Sequence, residues 1–168
     1  MIEAVAQDIA EYIAEAIAEN TAANIDQAMA VPSTFTPVRY LLDTNICIYV
    51  INARPAKVLA RFMEHETDGL GVSAITASEL YWGVRKSGSV KNLAALEKFL
   101  SPLVVLDYDL RAAQRYGELR ALLEARGTPI GPLDQQIAAH AQALNFTLVT
   151  NNLREFKRVP DLQLENWV

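Results

Sequence analysis

Three carboxylates in this chain have the type and setting to do chemistry: Asp43 in VRYLLDTN, Glu79 in SAITASELYWG and Asp134 in GPLDQQIAAHA. Asp43 follows the apolar run Tyr40, Leu41 and Leu42, which has no helical period and reads as a strand covered on both faces in a parallel sheet. In open α/β sheets, ligands bind at the C-terminal tip of such a strand. Thr44 and Asn45, directly behind, can donate hydrogen bonds that orient Asp43 and cap the next helix. Glu79 falls in the first turns of the helix after a second strand, and Asp134 near the start of a late helix. Taken singly, Asp134 could be a first-turn acid favoured by the helix dipole and Glu79 a solvated helix residue. Taken together, among the apolar Ile75, Leu80, Leu133, Ile137 and Ala138, they would be costly to bury without a cation.

The elements that must position these acids alternate along the chain. A strand over 39–42 is followed by helices near 44–52 and 55–66, and GLGVSA supplies a second strand. Helices near 76–86 and 91–100 lead to a strand over 103–106, and Leu110, Ala113, Tyr116, Leu119 and Leu123 mark a long helix stopped by Gly127 and Pro129. Pro132 sits well in the first turn of a helix over 133–144, FTLVT at 146–150 is another buried strand, and LQLENWV closes the chain. This alternation predicts an α/β fold with a central, mainly parallel sheet flanked by helices.

Half of the 168 residues are apolar, enough for one good core. Residues 1–37 hold six acidic and no Lys or Arg side chains, so the net charge of −5 leaves residues 38–168 at +1, compatible with a polyanionic partner. The acidic, Ala-rich segment predicts an amphipathic helix with Ile2, Val5, Ile9, Tyr12 and Ile13 on one side. VPSTFTP then reads as a linker, which divides the chain into an extension over 1–37 and a principal domain over 38–168. The lone Cys47 has no disulfide partner or zinc-site spacing and reads as a core residue. No leader pattern or apolar run of about 18 residues is present, so a cytoplasmic protein is expected.

The runs LLDTNICIYVI, SAITASELYWG, GPLDQQIAAHA and LVTNNLREFKRVPDLQLENWV, in this order and spacing, resemble the PIN-domain ribonuclease toxins called VapC. The likeness is to the branch with DTNICIY and VTNN motifs, some of whose members cut initiator tRNA in the anticodon region. It implies a toxin of a type II toxin–antitoxin pair: a metal-dependent endoribonuclease acting on RNA, with tRNA the expected substrate, a VapB-type antitoxin as partner and a homodimer as assembly. It also implies that Asp43, Glu79 and Asp134 are acidic metal ligands, with Thr44 and Asn45 as polar neighbours of the first. Where many members carry a fourth acid after the last core strand, this chain has Thr150, Asn151 and Asn152, with Glu155 slightly further on. Asn152 is the best match and would be a weaker ligand, because an amide removes one negative charge from the cage.

Mg²⁺ or Mn²⁺ suits such a set, since hard cations prefer oxygen ligands and retain several waters. The ion would lower the pKa of water, orient it in line with the scissile P–O bond and neutralise developing charge, and a second ion ~4 Å away would stabilise the leaving oxygen. Arg154, Lys157 and Arg158 form a basic cluster that could hold RNA phosphates or be ordinary surface. Tyr81 and Trp82 could stack on unpaired bases or serve as core or subunit interface. Arg85 and Lys86, which end the helix of Glu79, could likewise hold phosphates or be favourable last-turn cations, and His65 and His140 read as structural. A haloacid-dehalogenase-type site would want a second Asp where Asn45 stands. A catalytically dead PIN-like module that binds RNA or protein is the alternative, because the fourth charge is missing.

Overall fold

The computed structural model describes residues 38–168; the helix and linker expected over 1–37 lie outside the described residues. Five short strands form one sheet: β1 (Tyr40–Leu42), β2 (Leu70–Ser73), β3 (Val104–Leu106), β4 (Thr147–Val149) and β5 (Leu164–Glu165). Their order is β3-β2-β1-β4-β5, and every neighbouring pair is parallel. Parallel neighbours require long crossovers, and helices supply them. These are α1 (Thr44–Ile51) and α2 (Ala56–Glu64) after β1, α3 (Ala74–Ser87) and α4 (Val90–Leu100) after β2, α5 (Leu110–Ala125) and α6 (Pro132–Leu144) after β3, and the single turn α7 (Leu153–Phe156) after β4.

The expected parallel α/β fold is therefore present. Helix α2 stops at Glu64, and a separate 3-10 turn over Glu66–Asp68 replaces the end of the expected helix. Two elements were not anticipated: α7 is a single helical turn that carries Arg154 of the basic cluster, and β5 adds Leu164 beside Leu148.

Side chains leave the two sheet faces alternately. Leu41 and Leu148 pack with Leu119 and Leu123 of α5, Ile137 and Ala138 of α6, and Phe156. Leu42 and its neighbour Val72 take the opposite face, and Ile46, Val58, Phe62, Leu80 and Leu96 are buried as well. Each fully buried aliphatic of this kind contributes roughly 1.5–3 kcal/mol. Gly71 lies where β2 is most crowded: a Cβ there would meet the Val104 carbonyl oxygen and Val38 Cγ1 at 3.0 Å. Cys47 is a buried core residue, as its sequence setting suggested. His65 is also structural, stacked on the buried Trp167 with ring centroids 5.3 Å apart and bonded to Asp68.

This topology makes a particular place. The chain moves from β1 outward to β2 and β3, then returns to lay β4 on the other side of β1. The β1/β4 boundary is thus the point where the winding reverses, and a crevice opens there beyond the strand ends.

Candidate metal-binding active site

Asp43 sits at that reversal, one residue beyond β1. Its backbone N–H donates to the Val149 carbonyl at 2.9 Å, extending the ladder with β4 and fixing the direction of the side chain. Asp43 is also the N-cap of α1: its Oδ1 accepts from the Thr44 N–H at 2.8 Å, and its Oδ2 from the Thr150 hydroxyl at 2.7 Å. The side chain is 3% exposed. Burial pushes its pKa up, and the two donors oppose that shift.

Thr44 was expected to cap the helix, but Asp43 caps it directly. The Thr44 hydroxyl instead donates to Glu79 Oε2 at 2.5 Å, across 35 residues of sequence. Glu79 stands on α3, whose N-terminus is fixed by Ser73, the last residue of β2, with Oγ accepting from the Ile75 N–H at 3.1 Å. Asn45 is exposed in the first turn of α1.

Asp134 lies in the first turn of α6, which Gly131 and Pro132 open. Its Oδ2 accepts from the Asn152 side-chain amide at 3.2 Å, and the Asn152 backbone N–H donates to the Thr150 hydroxyl at 2.9 Å. Thr150 therefore links the surroundings of Asp43 and Asp134. Burial, followed by the charges of Asp43, Glu79 and Glu155, pushes the Asp134 carboxyl up to about 6. Leu133, expected to help bury this acid, is 44% exposed, because it points out of the first turn of α6.

The donor set fits a hard divalent cation. The available donors are carboxylate, hydroxyl and amide oxygens, Asp43 is buried, and the charges of Asp43, Glu79 and Glu155 that act on Asp134 are all negative. Among the described residues, no three Asp, Glu, His or Cys side chains are gathered tightly enough to hold an ion alone. Water and phosphate oxygens would complete the shell, as Mg²⁺ prefers.

The remaining expected residues fall into two groups. Asn151 donates to the Tyr49 hydroxyl at 2.7 Å and so ties the loop after β4 to α1. Glu155 meets Arg158 Nη1 at 3.3 Å, and the same nitrogen donates to the Pro129 carbonyl at 2.9 Å, which commits Arg158 to holding α7 beside the α5–α6 loop. Arg154 and Lys157 are exposed.

Sequence reasoning passed over Tyr49 and Ser73, and it gave His140 no partner. His140 is 1% exposed, and its Nδ1 lies 2.9 Å from Ser73 Oγ, joining the helix of Asp134 to the cap of the helix of Glu79. Burial lowers its pKa, which favours the neutral ring. The Ser73 cap position was a usable signal; the pairing with His140 was not.

A PIN domain model matches residues 40–162. The tRNA(fMet)-specific endonuclease VapC of Salmonella typhimurium is 46% identical over 131 residues, covering 77% of this chain and 98% of the relative. Ribonuclease VapC2 of Haemophilus influenzae is 48% identical over 132 residues, covering 78% of this chain and 99% of the relative. The crystal structure of VapBC2 from Rickettsia felis, bound to a DNA fragment from its promoter, aligns with a TM-score of 0.73 at 44% identity, over 77% of this chain and 98% of that one. With carboxylates at the strand reversal of a parallel sheet and relatives matched along nearly their whole length, this chain belongs to the PIN-domain family and to its VapC ribonucleases.

Proposed function

We propose that this protein is the toxin of a type II toxin–antitoxin pair and hydrolyses RNA phosphodiester bonds at Asp43, Glu79 and Asp134, which hold Mg²⁺ or Mn²⁺. The observation that carries the site assignment is the excess of negative charge around Asp134, whose carboxyl is pushed up to about 6 by burial and by three other acids. When bound, a divalent ion supplies Lewis-acid activation of water and neutralises charge developing on the scissile phosphate. The chain's own groups do the positioning. Thr150 and the Thr44 N–H aim Asp43, the Thr44 hydroxyl aims Glu79, and the Asn152 amide aims Asp134. Asn152 has its oxygen left over as a weaker ligand, and Glu155 acts through its charge.

The name of the Salmonella relative, tRNA(fMet)-specific endonuclease, favours initiator tRNA as the substrate. The likeness to the VapBC complexes of Rickettsia felis and Salmonella typhimurium favours a VapB-type antitoxin as the partner. A homodimer, a cytoplasmic location and independent folding of residues 38–168 complete the proposal. No helix among the described residues is long and apolar enough to cross a membrane. Exposed Arg154 and Lys157 would contact phosphates without reading sequence. The ribonuclease names of the relatives favour an enzyme over a silent binding module.

The test is Mg²⁺-dependent cleavage of tRNA by wild type and Asp134→Asn, with RNA ends sequenced. Loss of cleavage in a variant that still folds is expected, with wild-type cuts confined to one tRNA. Undiminished cleavage would remove Asp134 from the site.

A further inference from the structure

Glu79, Trp82, Gly83 and Lys86 share one face of α3, at spacings of three, four and seven residues. That face starts at the acid site and runs outward. Trp82 is 66% exposed, although burying an indole is normally favourable. Lys86 Nζ stands 4.8 Å from its ring centroid, fixing the ring and placing a positive charge beside it. Gly83 is exposed in mid-helix, and a Cβ built on it would touch nothing within 4 Å. Glycine costs helix stability relative to alanine, and packing gives no reason for it here. A bare stretch of helix next to an exposed indole leaves room for a flat ring.

We infer that Trp82, with Gly83 and Lys86, forms a stacking platform for one unpaired RNA base next to the scissile phosphate. This inference rests on the ribonuclease reading and gives it a specificity element. Trp82 sits about 4.5 Å along the helix axis from Glu79, within one turn. A nucleotide whose phosphate enters the acid site therefore has its own or its neighbour's base within reach of the indole. Lys86, about 10.5 Å along the axis, and the exposed Arg85 supply positive charge for the backbone. Exposed aromatics interleaved with cations match single-stranded RNA, whose bases are free to stack. The requirement for an unpaired base restricts cleavage to loops and single strands.

The test uses the full chain, Mn²⁺ and a short RNA stem–loop. Trp82→Ala is expected to raise KM about tenfold while kcat stays within about twofold, the pattern of lost uniform binding. Trp82→Phe should stay within about threefold of wild type, and Gly83→Leu should raise KM where Gly83→Ala does not. The same RNA, titrated into the Asp134→Asn variant, should quench the emission of Trp82. The buried Trp167 serves as the internal control for folding. A KM for Trp82→Ala within about twofold of wild type, or unquenched emission, overturns the platform. So does Trp82→Ala dissociating a dimer with KM unchanged, which would make this face a protein interface. If wild type cuts no RNA, the ribonuclease reading fails separately, and quenching in Asp134→Asn still decides whether a base stacks on Trp82.

Discussion

Asp43 and Asp134 are both carboxylates of the proposed site, but their surroundings differ in kind. Asp43 belongs to the frame: it continues the β1/β4 ladder, caps α1 and accepts from Thr150 and Thr44. Asp134 belongs to the electrostatics: it has a single amide donor, and burial and three like charges push it up to about 6. One acid is held by hydrogen bonds that the fold supplies. The other is left for a cation to satisfy. The contrast separates what builds the site from what fills it, and each side predicts different behaviour on substitution.

The largest effect should be common to both. Asp43→Asn and Asp134→Asn should each lower metal-dependent RNA cleavage by roughly 10³-fold, because each removes one charge from the site; single-turnover cleavage checks this. Stability should separate them. Asp43→Ala should destabilise the protein by about 1–2 kcal/mol, since a helix cap is lost and the buried Thr150 hydroxyl is orphaned. Asp134→Asn should stabilise the metal-free protein by on the order of 1–2 kcal/mol after allowance for solvent screening. Urea unfolding in EDTA measures both, and shifts of the same sign would erase the distinction.

The pH dependence sharpens it further. Folded Asp134 holds its proton up to about pH 6, well above the ordinary aspartate range. Between those limits the folded state binds more protons than the unfolded chain, so this group's contribution to stability rises as pH falls. The advantage of Asp134→Asn in EDTA should therefore be full at pH 7 and mostly gone by about pH 4.5. Mn²⁺ affinity should weaken as pH falls through about 6, because protons then compete for the same oxygens. The smallest effect is expected at Asn152. Asn152→Asp should tighten Mn²⁺ binding severalfold while lowering the melting temperature in EDTA, since it adds a fourth acid beside Asp134.

Much of this contrast was legible in the sequence. The apolar run before Asp43 marked a strand tip, Pro132 marked the start of α6, and the alternation of periods gave the parallel sheet. The likeness to VapC suggested the common role proposed for the three acids. What could not be read was settled by contacts between distant residues. The Thr44 hydroxyl reaches Glu79 rather than capping its own helix, and His140 reaches Ser73 across 67 residues. Strand β5 has only two residues, too few for any alternation to appear, and it exists because Leu164 and Glu165 pair with the edge of β4. Arg158 looked like one of three equivalent cations, but Glu155 and the Pro129 carbonyl claim it.

The most direct measurement is calorimetric titration of Mn²⁺ into the full chain at pH 7, comparing wild type with Asp134→Asn. The account predicts binding by wild type, with proton uptake by the buffer that grows as pH is lowered toward 6, and at least a tenfold loss of affinity in the variant. Equal affinity in the two proteins, or no binding by wild type, would contradict it.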